Sequence, residues 1–73
     1  MSRKITHDFE KELHDAFENK EAVIIPYTRE DGKKYDMEIT VEDFFEIKGR
    51  KYVWALKDGV PGRYRSLRLE SIG

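Results

Sequence analysis

The sequence predicts an α+β fold in which one N-terminal helix is followed by a small, five-stranded antiparallel barrel. Apolar residues recur at helical spacing over the first 19 residues, and apolar and polar residues alternate over much of the remainder. Glycine-containing turns separate the alternating segments, which is typical of short antiparallel strands. With 73 residues and no cysteine, the chain is expected to form a single domain, residues 1–73, stabilised by packing alone.

The first segment predicts an amphipathic helix over about residues 6–18. Its apolar side chains lie at helical spacing on one face: Ile5, Phe9, Leu13, Ala16 and Phe17. Thr6 is the expected N-cap, and Asn19-Lys20 is the expected end, because asparagine tolerates the left-handed conformation that closes many helices. A helix this short needs a surface to pack on, so we expect its apolar face to dock on the sheet.

The next segment predicts a hairpin. Ala22–Tyr27 is rich in β-branched residues, although Pro26 cannot donate a ladder hydrogen bond and therefore indicates a strand edge or a bulge. Asp31-Gly32 supplies the turn. Tyr35–Val41 then alternates strictly between apolar and polar residues, as expected for a strand with one buried face.

The remaining residues predict two further hairpins. Three strands are expected, Phe44–Ile47, Tyr52–Leu56 and Arg63–Leu69, separated by the glycine-containing turns Lys48–Lys51 and Asp58–Gly62. Five short strands within about residues 22–72 are typical of a small barrel of the SH3 or Sm type, because closure removes exposed strand edges.

Charge is distributed unevenly along the chain, although the net charge is only -1. Residues 1–46 carry seven Lys and Arg against thirteen Asp and Glu, whereas residues 47–73 carry seven against two. Clustered cations create a local positive potential that the net charge conceals, which indicates a negatively charged partner. The alternative is that the acidic and basic halves attract each other within the fold.

The candidate ligand-binding residues are basic and aromatic side chains of the basic half: Arg50, Lys51, Tyr52, Arg63, Tyr64, Arg65 and Arg68. Guanidinium groups bind phosphate or carboxylate bidentately, and aromatic rings interleaved with cations are typical of grooves that bind single-stranded nucleic acid. Alternatively, the arginines are solvated or paired with helix carboxylates. Trp54 lies in the same segment, but in so small a domain we expect it in the core.

The phase of the last strand raises a specific question. Strict alternation places Arg63 and Arg65 on the same face as Leu67, which is expected to be buried. Either a bulge shifts the phase, or the arginines lie beyond the rim of the barrel.

No catalytic or cofactor motif is present, so we expect neither an enzyme nor a cofactor. The only serines are Ser2, Ser66 and Ser71, none within Gly-x-Ser-x-Gly, and no glycine-rich phosphate loop opens a helix. No metal site is expected, because His7 and His14 would lie about 10 Å apart along the predicted helix. The longest apolar run has six residues, too short to span a membrane, and the lack of cysteine is consistent with a cytoplasmic location.

From residue 22 onward, over about fifty of the 73 residues, the pattern resembles the WYL domain, a small Sm-like barrel of bacterial transcription regulators and defence-associated proteins. The matching segments are Ile25-Pro26-Tyr27, Asp31-Gly32, Tyr35–Val41, Gly49–Ala55 and Arg65–Ile72. Lys51-Tyr52-Val53 lacks the tryptophan of the name-giving triplet, and the second strand lacks the family's usual Arg and Pro. Residues 65–72 also resemble the closing segment of the Rho-binding antiterminator, a similar barrel that binds a protein, although that resemblance is weaker over the rest of the chain.

The resemblance implies ligand sensing or single-stranded nucleic-acid binding by a regulatory module, which would have to act in trans here. We therefore expect a non-catalytic module that binds a phosphate-bearing ligand, such as single-stranded nucleic acid or a nucleotide. The alternative is a protein-interaction adaptor or homodimer, using the acidic helix or an open strand edge near Pro26.

Overall fold

The computed structural model describes residues 2–73. Its elements are strand β1 (Arg3–Lys4), helix α1 (Phe9–Asn19), strands β2 (Ala22–Thr28), β3 (Lys34–Ile47), β4 (Arg50–Lys57) and β5 (Tyr64–Arg68), and a 3₁₀ turn at Leu69–Ser71. Within this range the five strands form one sheet in the order β1-β2-β3-β4-β5. The expected combination of one helix with a five-stranded sheet is confirmed, but the five strands are not the five expected, since β1 precedes the helix and β3 covers two of the predicted strands.

The sheet is mixed, which corrects the expectation of a purely antiparallel one. β1 runs parallel to β2, with Arg3 opposite Val23 and Lys4 opposite Ile24, whereas the other neighbouring strands are antiparallel. The parallel pairing continues into the Ile5 N–H, which donates to the Ile24 carbonyl at 2.8 Å. A strand of two exposed, charged residues has no alternation to reveal it.

The strands expected at Tyr35–Val41 and Phe44–Ile47 are parts of one strand, the 14-residue β3. A β-bulge interrupts its pairing with β4, because Val41 lies opposite Ala55 whereas Asp43 already lies opposite Trp54. The extra residue, Glu42, shifts the buried positions from odd to even numbers. Because the alternation of apolar and polar residues changes phase at Glu42, the sequence pattern predicts two separate strands there.

Helix α1 begins three residues later than expected. Asp8, not Thr6, is the N-cap, with a left-handed backbone and no side-chain capping hydrogen bond. The chain is bound to β2 as far as Ile5 and must turn before it can start a helix. At the other end, Lys20 adopts the left-handed cap conformation and its N–H donates to the carbonyls of Ala16 and Phe17.

The helix and the sheet share one core. Its buried apolar side chains are Ile5, Leu13, Ala16, Val23, Ile25, Met37, Ile39, Val41, Val53, Ala55, Leu67 and Ile72. Two aromatic side chains expected inside are on the surface instead: Phe17 is 37% exposed and Trp54 is 38% exposed. Phe17 packs edge-on against Phe44, with ring centroids 5.5 Å apart.

The edge of β2 near Pro26 is occupied, contrary to the expectation of an open edge there. The Pro26 carbonyl accepts a hydrogen bond from the Gly73 N–H at 2.9 Å, and Tyr27 forms an isolated antiparallel bridge with Ile72. The C-terminal residues therefore lie against the end of β2. Among residues 2–73, by contrast, β5 has a strand neighbour on one side only.

Candidate ligand-binding groove

A groove with a volume of about 720 Å³ lies where β5 approaches the end of β2. Its charged lining residues are the cations Arg29, Arg50, Lys57, Arg65 and Arg68 and the acids Glu30 and Asp31. Tyr27, Tyr35 and Tyr52 also line it, with Met37, Ser66 and Leu67. We call this surface the basic groove. It brings together side chains from β2, the loop after it, β3, β4 and β5.

The cations of the basic groove are not neutralised by ion pairs. In residues 2–73, the ion pairs join Arg3 to Glu12 and Glu21, Lys4 to Asp36, and Lys51 to Glu10. None of these residues is one of the five groove cations. The positive potential of the groove is therefore available to a ligand.

The position of Arg65 shows why an arginine shares a strand face with buried Leu67. β5 pairs with β4 in unbroken register, with Arg65 opposite Ala55 and Leu67 opposite Val53. Arg65 therefore shares a face with buried Leu67 but lies beyond the core, where it is exposed. Of the two explanations, the position beyond the buried layer is correct and the bulge in β5 is not.

The backbone of β5 helps to hold the groove arginines. The Arg65 guanidinium donates to the Tyr64 carbonyl at 2.9 Å, which uses one of its N–H donors and leaves the others without a partner among residues 2–73. The Arg68 backbone N–H lies 3.4 Å from the Tyr27 hydroxyl, its hydrogen-bond acceptor. This contact links β5 to the last turn of β2 across the groove.

Four basic or aromatic residues of the groove are not among the residues predicted from the sequence: Tyr27, Arg29, Tyr35 and Lys57. The Lys57 ammonium lies 5.9 Å from the centre of the Tyr35 ring, in the range of a cation–π interaction. These residues lie in β2, the following loop, β3 and the end of β4. Tyr27, which pairs with Tyr35, comes near β5 through its contacts with Ile72 and Arg68, so no local sequence signal could have found this part of the groove. Lys57, by contrast, lies in the same β4–β5 hairpin as the predicted residues.

Three of the predicted site residues do not line the groove. Lys51 lies on the opposite face of β4 from Arg50, and its ammonium pairs with the Glu10 carboxylate at 3.1 Å. Arg63 precedes β5 and accepts the Lys57 N–H through its carbonyl at 2.8 Å. Tyr64 stacks on Trp54. The groove thus contains four predicted residues: Arg50, Tyr52, Arg65 and Arg68.

Two stacked aromatic pairs lie on the sheet face opposite the core, which we call the outer face. Trp54 and Tyr64 have ring centroids 5.5 Å apart and planes 6° from parallel, and each is 38% exposed. Phe45 and Tyr52 stack at 5.1 Å with planes 10° apart. Because Tyr52 also lines the basic groove, the aromatic surface and the basic groove adjoin.

The charges around β1 form a separate network. The Arg3 guanidinium donates to the carboxylates of Glu12 and Glu21. Hydrogen bonding to Arg3 lowers the pKa of the Glu12 carboxyl, and the same bonds raise the pKa of Arg3. None of these residues lines the basic groove.

No family model, curated protein or solved structure matches the chain. The resemblance to the WYL domain therefore stays a prediction, which depends most on the closing segment Arg65–Ile72. Among residues 2–73, no group of three or more His, Cys, Asp or Glu is placed to hold a metal ion. In the same range no helix is long and apolar enough to cross a membrane.

Proposed function

We propose that the protein is a non-catalytic regulatory binding module that takes a phosphate-bearing ligand, single-stranded nucleic acid or a nucleotide, in the basic groove. One observation carries the proposal. Five cationic side chains from three segments surround a single groove, and none of them forms an ion pair within residues 2–73. An anion is the partner that this arrangement lacks.

The donors of the groove favour phosphate. Guanidinium groups present paired N–H donors that match two phosphate oxygens, and four of the five groove cations are arginine. The tyrosine side chains add hydroxyl donors and ring faces. Of the two acids, Asp31 already accepts the Lys33 backbone N–H at 3.0 Å, which indicates a role in the turn.

We also propose that the sheet curls into a small barrel of the SH3 or Sm type, as the resemblance to the WYL domain implies. Two contacts support this refinement: the Tyr27–Ile72 bridge and the hydrogen bond from Arg68 to the Tyr27 hydroxyl. Both join the last strand region to β2. Regulation of another protein is the biological role that this resemblance implies.

The test is a binding titration of a fluorescently labelled oligothymidylate of about ten nucleotides, a length within the site sizes of small barrels. Binding should weaken steeply between about 50 and 200 mM salt, because each phosphate contact releases counterions. The double variant Arg65→Glu, Arg68→Glu should bind at least about 100-fold more weakly, since two charge-assisted contacts become repulsive. Its melting temperature should change little, because both side chains are outside the core.

Lys11→Glu is the matched control, since it changes the charge by the same amount per site on an exposed helix position outside the groove. It should leave oligonucleotide binding within about twofold, given salt screening over a Debye length of about 8–10 Å. If the wild-type protein binds neither the oligonucleotide nor a mononucleotide at low salt, the proposal is wrong.

The free edge of β5 supports a second candidate function, the binding of an extended acidic peptide by strand addition. Backbone groups of successive residues in β5 point alternately toward β4 and away from it. The Arg68 N–H points away from β4 and donates to the Tyr27 hydroxyl, so the backbone N–H and carbonyl of Ser66, two residues earlier, also point away from β4. Ser66 lines the basic groove, so an added strand would lie beside the cations.

Ser66→Pro separates the two candidates. It removes a backbone donor on the free side of an edge strand, where proline is tolerated, and leaves the groove cations in place. Peptide binding should be lost if strand addition is correct, whereas oligonucleotide binding should persist if phosphate recognition is correct. Isothermal titration of both probes against the variant, with circular dichroism to verify folding, provides the comparison.

A further inference from the structure

We infer that the ligand is a single-stranded oligonucleotide whose bases stack on the Trp54–Tyr64 pair while its phosphates lie in the basic groove. The inference rests on the proposed function and narrows it from any phosphate-bearing ligand to a polymer with accessible bases. The observation behind it is a parallel, half-exposed ring pair next to an unpaired cationic groove.

The ring pair is built by the register of β4 and β5. Trp54 lies opposite Ser66 and Leu56 lies opposite Tyr64, so the two rings are diagonal neighbours on the outer face. Their planes are 6° from parallel, and a planar base placed on either free ring face would extend the same stack. Each of the two residues is 38% exposed, so the pair is accessible as it stands.

The ring pair and the basic groove are continuous. Ser66, directly opposite Trp54, lines the groove, and the next outer-face positions on the two strands are Tyr52 and Arg68, which are opposite each other and also line it. Successive positions on one strand face are about 7 Å apart. A chain of nucleotides can therefore pass from the groove to the rings without crossing a charged acidic surface on β4 or β5.

The spread of the cations favours a polymer over a mononucleotide. Arg50 and Lys57 are the first and last residues of β4, seven positions apart, which corresponds to roughly 23 Å of extended strand. One phosphate group can contact only a subset of these cations. Several successive phosphates are needed to use the whole groove.

Intrinsic fluorescence tests the inference directly, because Trp54 is the only tryptophan in the chain. Three probes are titrated: an oligothymidylate of about ten nucleotides, an abasic sugar-phosphate oligomer of the same length and charge, and thymidine monophosphate. Oligothymidylate should quench Trp54 emission saturably. The abasic oligomer should bind about tenfold or more weakly without quenching, since base–aromatic stacking contributes to affinity.

Variants locate the stacking surface. Trp54→Ala should reduce oligothymidylate affinity about tenfold, to the level of the abasic oligomer, and Trp54→Phe should restore most of it because a ring face is retained. Phe17→Ala is the matched control, because Phe17 is 37% exposed but lies on α1, away from the groove. It should leave oligothymidylate binding unchanged.

The outcomes distinguish this inference from the proposed function. Equal, salt-dependent binding of the oligothymidylate and the abasic oligomer, with Trp54 emission unchanged, would overturn the stacking inference but leave the groove as a phosphate site. Equal affinity for thymidine monophosphate and oligothymidylate would also overturn it. No binding of any probe at low salt would overturn both. The wild-type titrations give these answers even if Trp54→Ala fails to fold.

Discussion

The cations of β1 and the cations of the basic groove differ in what surrounds them. Arg3 and Lys4 are both paired, with Glu12, Glu21 and Asp36 as partners. The five groove cations have no carboxylate partner among residues 2–73. The near-neutral net charge therefore does not result from pairing of acids and bases throughout the fold. The cations of β1 are paired with acids, whereas the groove cations have no carboxylate partner among residues 2–73.

The expected electrostatic attraction between the acidic and basic halves therefore involves few ion pairs. Within the described range, Lys51–Glu10 is the single ion pair that joins the basic segment, residues 47–73, to the acidic one. Exposed pairs of this kind contribute little to stability. The two halves are held together by the shared apolar core instead.

The largest effect on stability is expected from truncating a core side chain of helix α1, the helix that carries Glu12. Leu13→Ala should lower the free energy of unfolding by about 2–5 kcal/mol, because a fully buried leucine leaves a cavity when truncated. Urea unfolding measures the change. Lys11→Ala, an exposed change on the same helix, should stay within about 0.5 kcal/mol of the wild type. Equal losses for the two variants would contradict a helix held by burial.

An intermediate effect is expected from two neighbouring cations on opposite faces of β4. Arg50→Glu should weaken oligothymidylate binding about tenfold, the equivalent of one charge-assisted contact, with little change in stability. Lys51→Glu makes the same charge change but should weaken binding far less, because Lys51 faces Glu10 on the helix. Anisotropy titrations of both variants at one salt concentration provide the measurement. Equal effects would indicate a general electrostatic attraction without a defined groove.

The smallest effect is expected from removing the ion pair between Arg3 and Glu12. The pKa of Glu12 is lowered in the folded state, so its pairing stabilises the fold above the ordinary pKa of about 4.5 and this contribution is lost as the pH falls through the lowered pKa. Arg3→Gln should therefore lower the melting temperature slightly near neutral pH. The difference from the wild type should disappear in acid. A difference that grows on acidification would show that Arg3 acts by another route.

Much of the fold could be predicted because its elements have strong local patterns. The helical spacing around Leu13 and the alternation of Tyr35–Val41 are both retained in the structure. β1 could not be predicted, because its two exposed residues depend on a partner strand about twenty positions away. The start of α1 was misplaced for the same reason, since pairing with β2 holds the chain extended as far as Ile5.

The candidate site could be predicted from the sequence only where it lies within the β4–β5 hairpin. Arg50, Tyr52, Arg65 and Arg68 were found from charge and aromatic content, and all four line the groove. Lys51 is predicted wrongly as a groove residue because composition does not show that its ammonium pairs with Glu10 of the helix. Trp54 was expected in the core because of its size, but its register opposite Ser66 places it on the outer face.

The bulge at Glu42 has a consequence for comparing this chain with others. Val41 and Asp43 already lie opposite consecutive residues of β4, so loss of Glu42 would preserve every downstream pairing and remove only the local kink. A homologue with a straighter third strand should therefore align with a one-residue gap at this position. An alignment that treated this gap as the end of the shared domain would place the domain boundary wrongly.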